Sequence, residues 1–337
     1  MSDLRITMEH GSGGTATGTL IDEVFAGAFD NDVLNAMEDA AVVAGSEKIA
    51  MTTDSFVVTP VEFPGGDIGR LCICGTVNDI LMRGAKPMYI TCGFIIEEGT
   101  PVELLKRVVK SMADTAKEAG VIVVAGDTKV IDGKNPDGGI IINTAGVGFV
   151  KANVSAKNAK DGDVIIVSGA MGDHHAAILS QRLSIKNNIE SDNAPLTEMV
   201  MALIDNGIDV HVLRDVTRGG LGTVLKELAI SSKVQFDVEE IALPVHSDVK
   251  NFAGLLGLDP FYMGNEGKLV AIVAAADKDK ALGVIRSSKY GEEAAVIGQV
   301  CADEAKDFSA GKVSLATALG GKRELGILVG EGLPRIC

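Results

Sequence analysis

The stretch from Thr100 to Val130 constrains the fold more than any other. Thr100, Pro101 and Glu103 make a helix start: a capping Thr, Pro at the first helical position, and Glu closing a Thr-x-x-Glu capping box. Val102, Leu105, Val109, Met112 and Ala116 then recur at helical spacing and give the helix one apolar face, and Gly120 ends it. The pattern switches at once in "VIVVAGDTKV" to a short, continuously apolar strand that ends in Gly126 and Asp127. Helix, strand and polar loop in that order indicate a βα-type layer, which predicts an α/β (α+β) chain.

The same alternation runs through the remainder. "SEKIAMTTDSFVVTP" reads as one or two strands interrupted at Thr52 to Asp54, a Pro/Gly loop follows at Phe63 to Gly66, and "GRLCICGTVNDILMRG" carries Leu71, Cys74, Val77 and Leu81 at helical spacing. After the turn "DGKNPDGG" comes the strand "IIINTAGVGFV", then a polar stretch from Lys151 to Asp163. The 337 residues suit two domains at about 150 residues each. A boundary near 155 gives a first domain over 1–155, with residues 1–18 as a glycine-rich arm, and a second over 156–321. In the second, "DVIIVSG", "VQFDVEEIALP", "GKLVAIVAA" and "AAVIGQV" read as strands, "LTEMVMALIDNG" and "DKDKALGVIRSS" as helices, and "VHVLRDVTRGGLGTVLKELA" as strand, Gly219-Gly220 turn and helix. Residues 322–337 read as a mobile tail with one docking segment. Its final run could reach about 50 Å if extended at about 3.3 Å per residue.

Charge narrows the partners. The formal net charge is -15, with no basic run, which argues against nucleic acid and anionic membrane. The start "MSDLRITMEH" has no signal-peptide core and no apolar run is long enough to span a bilayer, so a cytoplasmic location is expected. The five cysteines, Cys72, Cys74, Cys92, Cys301 and Cys337, form neither a CxxC motif nor a zinc pattern. Four read as small core thiols. Cys337 differs because it ends the glycine-rich tail "GEGLPRIC", where no packing reason favours it and its thiol is a nucleophile, an attachment point or an inert terminus.

Asp54 in "TTDS", Asp79 in "VND" and Asp127 in "AGDTK" each sit near an element end, as carboxylates for Mg²⁺ and phosphate do and as caps and turn residues do. The loop "HGSGG" and the turn "DVTRGGLG" can each turn backbone N–H groups toward phosphate, although a flexible terminus and an ordinary strand-to-helix turn have the same letters. Lys129 follows Asp127 on the same side of a strand, suited to developing negative charge. Glu266 in "GNEGKLV" reads as a general base or an exposed turn carboxylate, and His174 and His175 as loop or cap residues.

Taken in order, "MEHGSGG", "TTDSFVVTP", "GTVNDILMRGAKP", "AGDTKV", "RDVTRGG", "GNEGKL" and the terminal "PRIC" closely resemble the hydrogenase maturation family HypE, over nearly the whole chain. That family belongs to the ATP-using superfamily of aminoimidazole ribonucleotide synthetase and selenophosphate synthetase. The resemblance implies a PurM-like fold whose first domain pairs in a homodimer to form a barrel-like sheet, with ATP in the cleft. It implies a nucleotide site of His10, Gly11, Ser12, Gly13, Gly14, Asp54, Asn78, Asp79, Asp127, Thr217, Gly219 and Gly220, with Asp54, Asp79 and Asp127 also on Mg²⁺. It further implies that Cys337 receives a carbamoyl group from HypF, that Glu266 and Lys129 assist ATP-dependent dehydration of that group to a thiocyanate, and that the cyano group passes to a HypC and HypD complex for the iron of NiFe hydrogenase. A selenophosphate synthetase would typically carry Cys or selenocysteine near the glycine-rich arm, which this chain lacks, and a purine-pathway cyclase needs no terminal thiol. A non-catalytic scaffold that docks partners through its tail is the alternative of another class.

Overall fold

The computed structural model describes residues 4–12, 14–37, 40–133, 139–302, 311–330 and 336–337. The arm lies outside any sheet but is tied down. Its Ile6 is fully buried, its N–H donates to the Thr100 carbonyl at 2.8 Å, and its own carbonyl accepts from Gly99 N–H at 2.8 Å. Two short helices follow, α1 (Thr15–Leu20), which runs on into a wider π-type turn over Ile21–Ala26, and α2 (Asp32–Asn35).

The first sheet and its helices come next: β1 (Ile49–Phe56), the two-residue strands β2 (Glu62–Phe63) and β3 (Gly66–Asp67), α3 (Ile68–Leu81), β4 (Ala85–Glu97), α4 (Val102–Ala119), β5 (Ile122–Ile131) and β6 (Ile140–Val150). Strands order as β1-β6-β4-β5, antiparallel except for β4 with β5. β1 is unbroken, so Thr52 to Asp54 do not interrupt it: Asp54 pairs with Thr144 in mid-strand. α4 starts differently from its sequence signal. Pro101 occupies the cap position, and the Thr100 hydroxyl donates instead to the Glu97 carbonyl at 2.7 Å, which removes the capping box. The stripe Val102, Leu105, Val109, Met112 and Ala116 is buried throughout, and Gly120 closes the helix at φ 72°. α3 lies so close to β6 that a Cβ on Gly148 would stand 2.3 Å from an Ile80 methyl, so the strand face under the helix must be bare there.

The second sheet has the order β13-β12-β9-β11-β7-β10-β8. Its chain runs β7 (Val164–Val167), α5 (Asp173–Arg182), α6 (Thr197–Asp205), β8 (Val210–Asp215), α7 (Gly220–Ser232), β9 (Gln235–Glu239), α8 (Ser247–Leu256), β10 (Leu269–Val273), α9 (Lys278–Arg286), β11 (Ala295–Cys301), β12 (Val313–Ala316) and β13 (Lys322–Glu324). Only β9 and β12 pair in parallel. The strands β7 and β10 are buried along their whole length, as their unbroken apolar runs require. The tail is less free than its composition implies. Lys322–Glu324 extend the sheet, Leu325 is fully buried, and the terminal Ile336 and Cys337 are buried against the body.

One apolar core runs through the first sheet, α3 and α4 and continues into Ile166, Leu213 and Leu269 of the second sheet; Ile336 and Cys337 belong to it. A second core fills the other face of the seven-stranded sheet beneath α7. The seam between α3 and the edge strand β8 is where the polar groups gather.

Candidate functional site

β1 turns Thr52, Asp54 and Phe56 toward α3, because alternate residues of a strand share a face. A Cβ on Gly75 of α3 would come within 2.8 Å of the Phe56 ring, so the helix can approach only with glycine there, and Asp54 comes close beside it. Asp79, one turn further along α3, accepts from the Thr52 hydroxyl at 2.7 Å. From the second sheet, β8 ends in Arg214 and Asp215, and the tight turn after it presents Thr217 and Arg218. These groups, with Thr53, Asp54, Gly75, Asp79, Glu266 and Cys337, line one polar cavity of ≈ 360 Å³.

Negative charge is in surplus there. Burial first, then Asp79, pushes the Asp215 carboxyl up to about 7. Burial and the neighbouring Asp54 raise Asp79, although the Thr52 hydroxyl opposes them. Glu266 is only 4% exposed, and its Oε1 has no hydrogen-bond partner among the described residues. Burial, then Asp215, Asp192 and Asp54, hold its carboxyl well above the usual range, with Arg218 pulling the other way. The Cys337 thiol is pushed up to about 12 by burial and then by Glu266, so it is neutral where it sits.

Several predicted residues lie elsewhere. Asp127 and Lys129 stand on β5, at the far edge of the first sheet, where Lys129 Nζ lies 2.8 Å from Asp127 Oδ1 and both are exposed. Three strand spacings separate that edge from β1, about 14 Å. Asp54, Asp79 and Asp127 therefore do not meet within one chain, and no three potential metal-binding side chains cluster among the described residues. Asp127 and Lys129 border a different, mostly apolar cavity of ≈ 250 Å³ that includes Gly11, Phe25, Phe29 and Phe94.

The arm residues are used locally. His10 Nδ1 accepts from Thr7 N–H at 3.0 Å, the Ser12 hydroxyl donates to the Glu9 carbonyl at 2.9 Å, and Gly14 caps α1, while Gly13 falls outside the described residues. Asn78 acts as a staple. Its side chain is 2% exposed, donates to the Ala194 carbonyl at 3.0 Å and accepts from Leu196 N–H at 2.9 Å. Gly219 and Gly220, at φ 81° and 65°, shape the turn but do not line the cavity with Thr217.

Sequence reasoning missed two groups. Arg218 stands within "DVTRGG", yet nothing in the motif distinguishes it from Arg214; in the structure it lines the cavity and has no ion-pair or hydrogen-bond partner among the described residues. His174 is in the first turn of α5 and fully buried, not in a loop, and its imidazole touches the backbone of the tail. His175, 5% exposed, follows it into the helix.

Comparison with known proteins adds the following. Residues 37–150 match the family model "AIR synthase related protein, N-terminal domain" and residues 160–310 match "AIR synthase related protein, C-terminal domain". The chain is 48% identical to the carbamoyl dehydratase HypE of Cupriavidus necator over 99% of its own length and 95% of the relative's. A crystal structure of the hydrogenase maturation protein HypE in complex with ATP superposes with a TM-score of 0.93 at 46% identity, covering 98% of this chain and 99% of that one. A HypE chain from a HypE-HypF complex matches with a TM-score of 0.78 at 48% identity, over 92% of this chain and 100% of that one.

Proposed function

Because the chain belongs to the HypE family of carbamoyl dehydratases, within the AIR synthase related proteins, we propose that it uses ATP to dehydrate an S-carboxamide carried on its own Cys337. The observation that carries this is the docked tail. Cys337 lines the same cavity as Glu266, Asp54, Asp79 and Arg218, so a carboxamide on its sulfur would stand among an acid-base group, carboxylates and a guanidinium.

The chemistry balances as follows. The carboxamide oxygen attacks the γ-phosphorus of ATP, ADP leaves, and a proton from the nitrogen passes to Glu266. The carbon-oxygen bond then breaks with phosphate departing and the second nitrogen proton released, which leaves Cys337-S-C≡N; the oxygen that water would have carried ends in phosphate. Glu266 suits the proton transfers because it lines the cavity beside Cys337, and burial with the neighbouring carboxylates makes it a stronger base than an ordinary carboxylate. Arg218 is placed to stabilise negative charge on the oxygen being phosphorylated.

The sheet supports a partner arrangement. β1 and β5 are its two edges, and Asp54, Thr144, Cys92 and Gly126 form one cross-strand row, so Asp54 and Asp127 lie at opposite ends of nearly the same row. Closing two such sheets edge to edge in a homodimer would lay β1 of one copy beside β5 of the other and bring Asp127 and Lys129 of a second copy to Asp54. Exposed Met51, Ile122 and Ile131 on these strands support that closure. The apolar cavity beside Asp127 suits an adenine ring, with the phosphates directed toward the neighbouring copy's tail. Asp54 and Asp79, with Asp127 of the second copy, would hold Mg²⁺; the raised Asp79 and Asp215 are the surplus charge that a hard cation relieves. Bound there, Mg²⁺ would neutralise charge on the transferred phosphoryl group. HypF as carbamoyl donor and a HypC and HypD complex as cyano acceptor complete the cycle.

Intact-mass analysis tests the reading. With the tail carbamoylated by HypF, addition of ATP and Mg²⁺ should remove one water from the C-terminal peptide; no loss under conditions where ATP binds would refute it. Glu266→Gln should still accept the carbamoyl group yet dehydrate it slowly, and an unchanged rate would remove Glu266 from the base role.

A further inference from the structure

Cys337 ends a chain of sixteen residues past Gly321, so something other than covalent stiffness must hold its thiol at the cavity. Three contacts do so. The Val57 N–H, just beyond β1, donates to the main-chain oxygen of Cys337 at 3.1 Å. The Ile336 side chain, 3% exposed, lies so close to Gly264 that a Cβ on that glycine would stand 2.9 Å from its terminal methyl. The third contact comes from His174, fully buried on α5, whose Nε2 is 2.6 Å from the Ile336 carbonyl oxygen.

The chemistry of these partners fixes the ring's state. A carbonyl can only accept, so Nε2 carries the proton; Nδ1, 2.8 Å from the Ser191 hydroxyl, is then the acceptor. The Ser191 oxygen in turn accepts from Asn193 N–H at 3.1 Å, and the Phe63 ring packs edge-on against the imidazole with centroids 5.6 Å apart. The relay therefore has one direction, from Asn193 through Ser191 and His174 to the tail. Burial lowers the imidazole pKa and keeps it neutral, although Asp192 and the Ile336 carbonyl oppose this. The loop that supplies Ser191 also supplies Asp192, whose Oδ1 accepts from Glu266 N–H at 3.0 Å. One short loop thus sets both the tail clamp and the backbone of Glu266.

We infer that His174 is the positioning residue that seats the reacting end of the tail, its Nε2–H clamped on the Ile336 carbonyl and its orientation held by Ser191. The inference rests on Cys337 being the carrier of the substrate, and the contacts that seat the tail are all made by groups of this chain. His174 acts through the tail and takes no proton from substrate. Breaking its bond leaves a buried carbonyl without its donor and shifts the tail toward the undocked state.

The test is peptide-resolved alkylation of the unmodified protein with iodoacetamide, without nucleotide. His174→Phe keeps the ring and the Phe63 contact but removes both nitrogens; Cys337 should react about fivefold to tenfold faster than in the unsubstituted protein. His174→Gln retains an N–H donor and should return the rate most of the way. The half-exposed Cys301 should react at one rate in all three, and the buried Cys72, Cys74 and Cys92 should stay protected. If His174→Phe disturbs those buried thiols, Ser191→Ala carries the test, with a smaller acceleration confined to Cys337. Equal Cys337 rates in the unsubstituted protein and a folded His174→Phe or Ser191→Ala variant would overturn the inference, as would equal acceleration by the Phe and Gln variants. Failure of water loss in the mass assay would refute the dehydratase reading and leave these rates untouched.

Discussion

Docking should silence the thiol that it protects. Moving Cys337 from solvent into the cavity raises its pKa from 9.0 to about 12, by burial first and the Glu266 carboxyl next. Three units remove about a thousandfold of thiolate, equivalent to about 4 kcal/mol. The remaining thiolate is more nucleophilic, by about twentyfold at a Brønsted slope of about 0.45, so docking should slow alkylation about fiftyfold before steric cover is counted. The docked thiol binds its proton more tightly than the free one. Docking is therefore fully favoured below the free pKa of 9.0 and is lost as pH rises through about 12. The assay is a pH-rate profile of Cys337 alkylation over about pH 7 to 10, set against a synthetic peptide ending in the same residues. An apparent pKa above the peptide's, with a depressed rate at the neutral end, is expected. A profile that superposes on the peptide's would refute the argument, because the thiol would then be spending its time in solvent. The consequence for the proposed cycle is that carbamoylation must meet the undocked tail. An S-carboxamide has no proton to lose, so the modified tail docks without this pH dependence.

Three further outcomes follow. Arg218→Ala should lower the single-turnover rate of water loss by about a hundredfold with nucleotide affinity nearly unchanged, because its guanidinium lines the cavity beside Cys337 where the proposed reacting oxygen would sit; equal rates would exclude that role. Glu118 on α4 takes hydrogen bonds from Arg70 at 3.0 Å, from Lys289 at 2.5 Å and from Tyr290; burial alone would raise its carboxyl, but these donors together hold it at about 2. That stability is present above the unfolded pKa of 4.5 and disappears as pH falls toward about 2, so Glu118→Gln should cost about 1 to 2 kcal/mol at neutral pH in urea unfolding and much less near pH 3; a pH-independent difference would contradict it. Gly220→Ala should destabilise by about 3 kcal/mol, since φ is +65° and its Cβ would meet the Tyr262 carbonyl carbon at 2.6 Å, whereas Gly257→Ala, at φ +68° with open space, should cost about 1 kcal/mol; comparable melting temperatures would refute the steric part.

The elements that could be read from sequence were those whose cause is local. The apolar stripe of α4, the Gly219-Gly220 turn and the covered strands β7 and β10 are each encoded within a few neighbouring residues, and each formed as its pattern requires. The capping box failed because the Thr100 hydroxyl turns back to the Glu97 carbonyl three residues earlier and also accepts from Gly139 N–H at 3.1 Å, the second contact being set by how β6 returns beside β4. The site divides in the same way. Glu266 sits between glycines before β10, a placement visible in the letters, and Cys337 is conspicuous on a tail. His174 had no signal at all, because its function depends on a carbonyl 162 residues away. Asp127 and Lys129 are the sharper case. Their motif places them beside Asp54 in a list of residues, yet the strand order β1-β6-β4-β5 puts them at opposite edges, and no inspection of spacing within "AGDTKV" can reveal which edge a strand will occupy. The motif is therefore consistent with one site only if a second copy closes the sheet, so the residues that looked most like a single catalytic set in sequence are the ones that most strongly demand two chains. If that is right, Asp127→Ala and Asp54→Ala chains, each inactive alone, should regain up to about a quarter of the full activity per site when mixed and allowed to exchange, because random pairing leaves one of the two shared sites intact in about half of the dimers. Absence of recovery after demonstrated subunit exchange would return both carboxylates to separate roles within one chain.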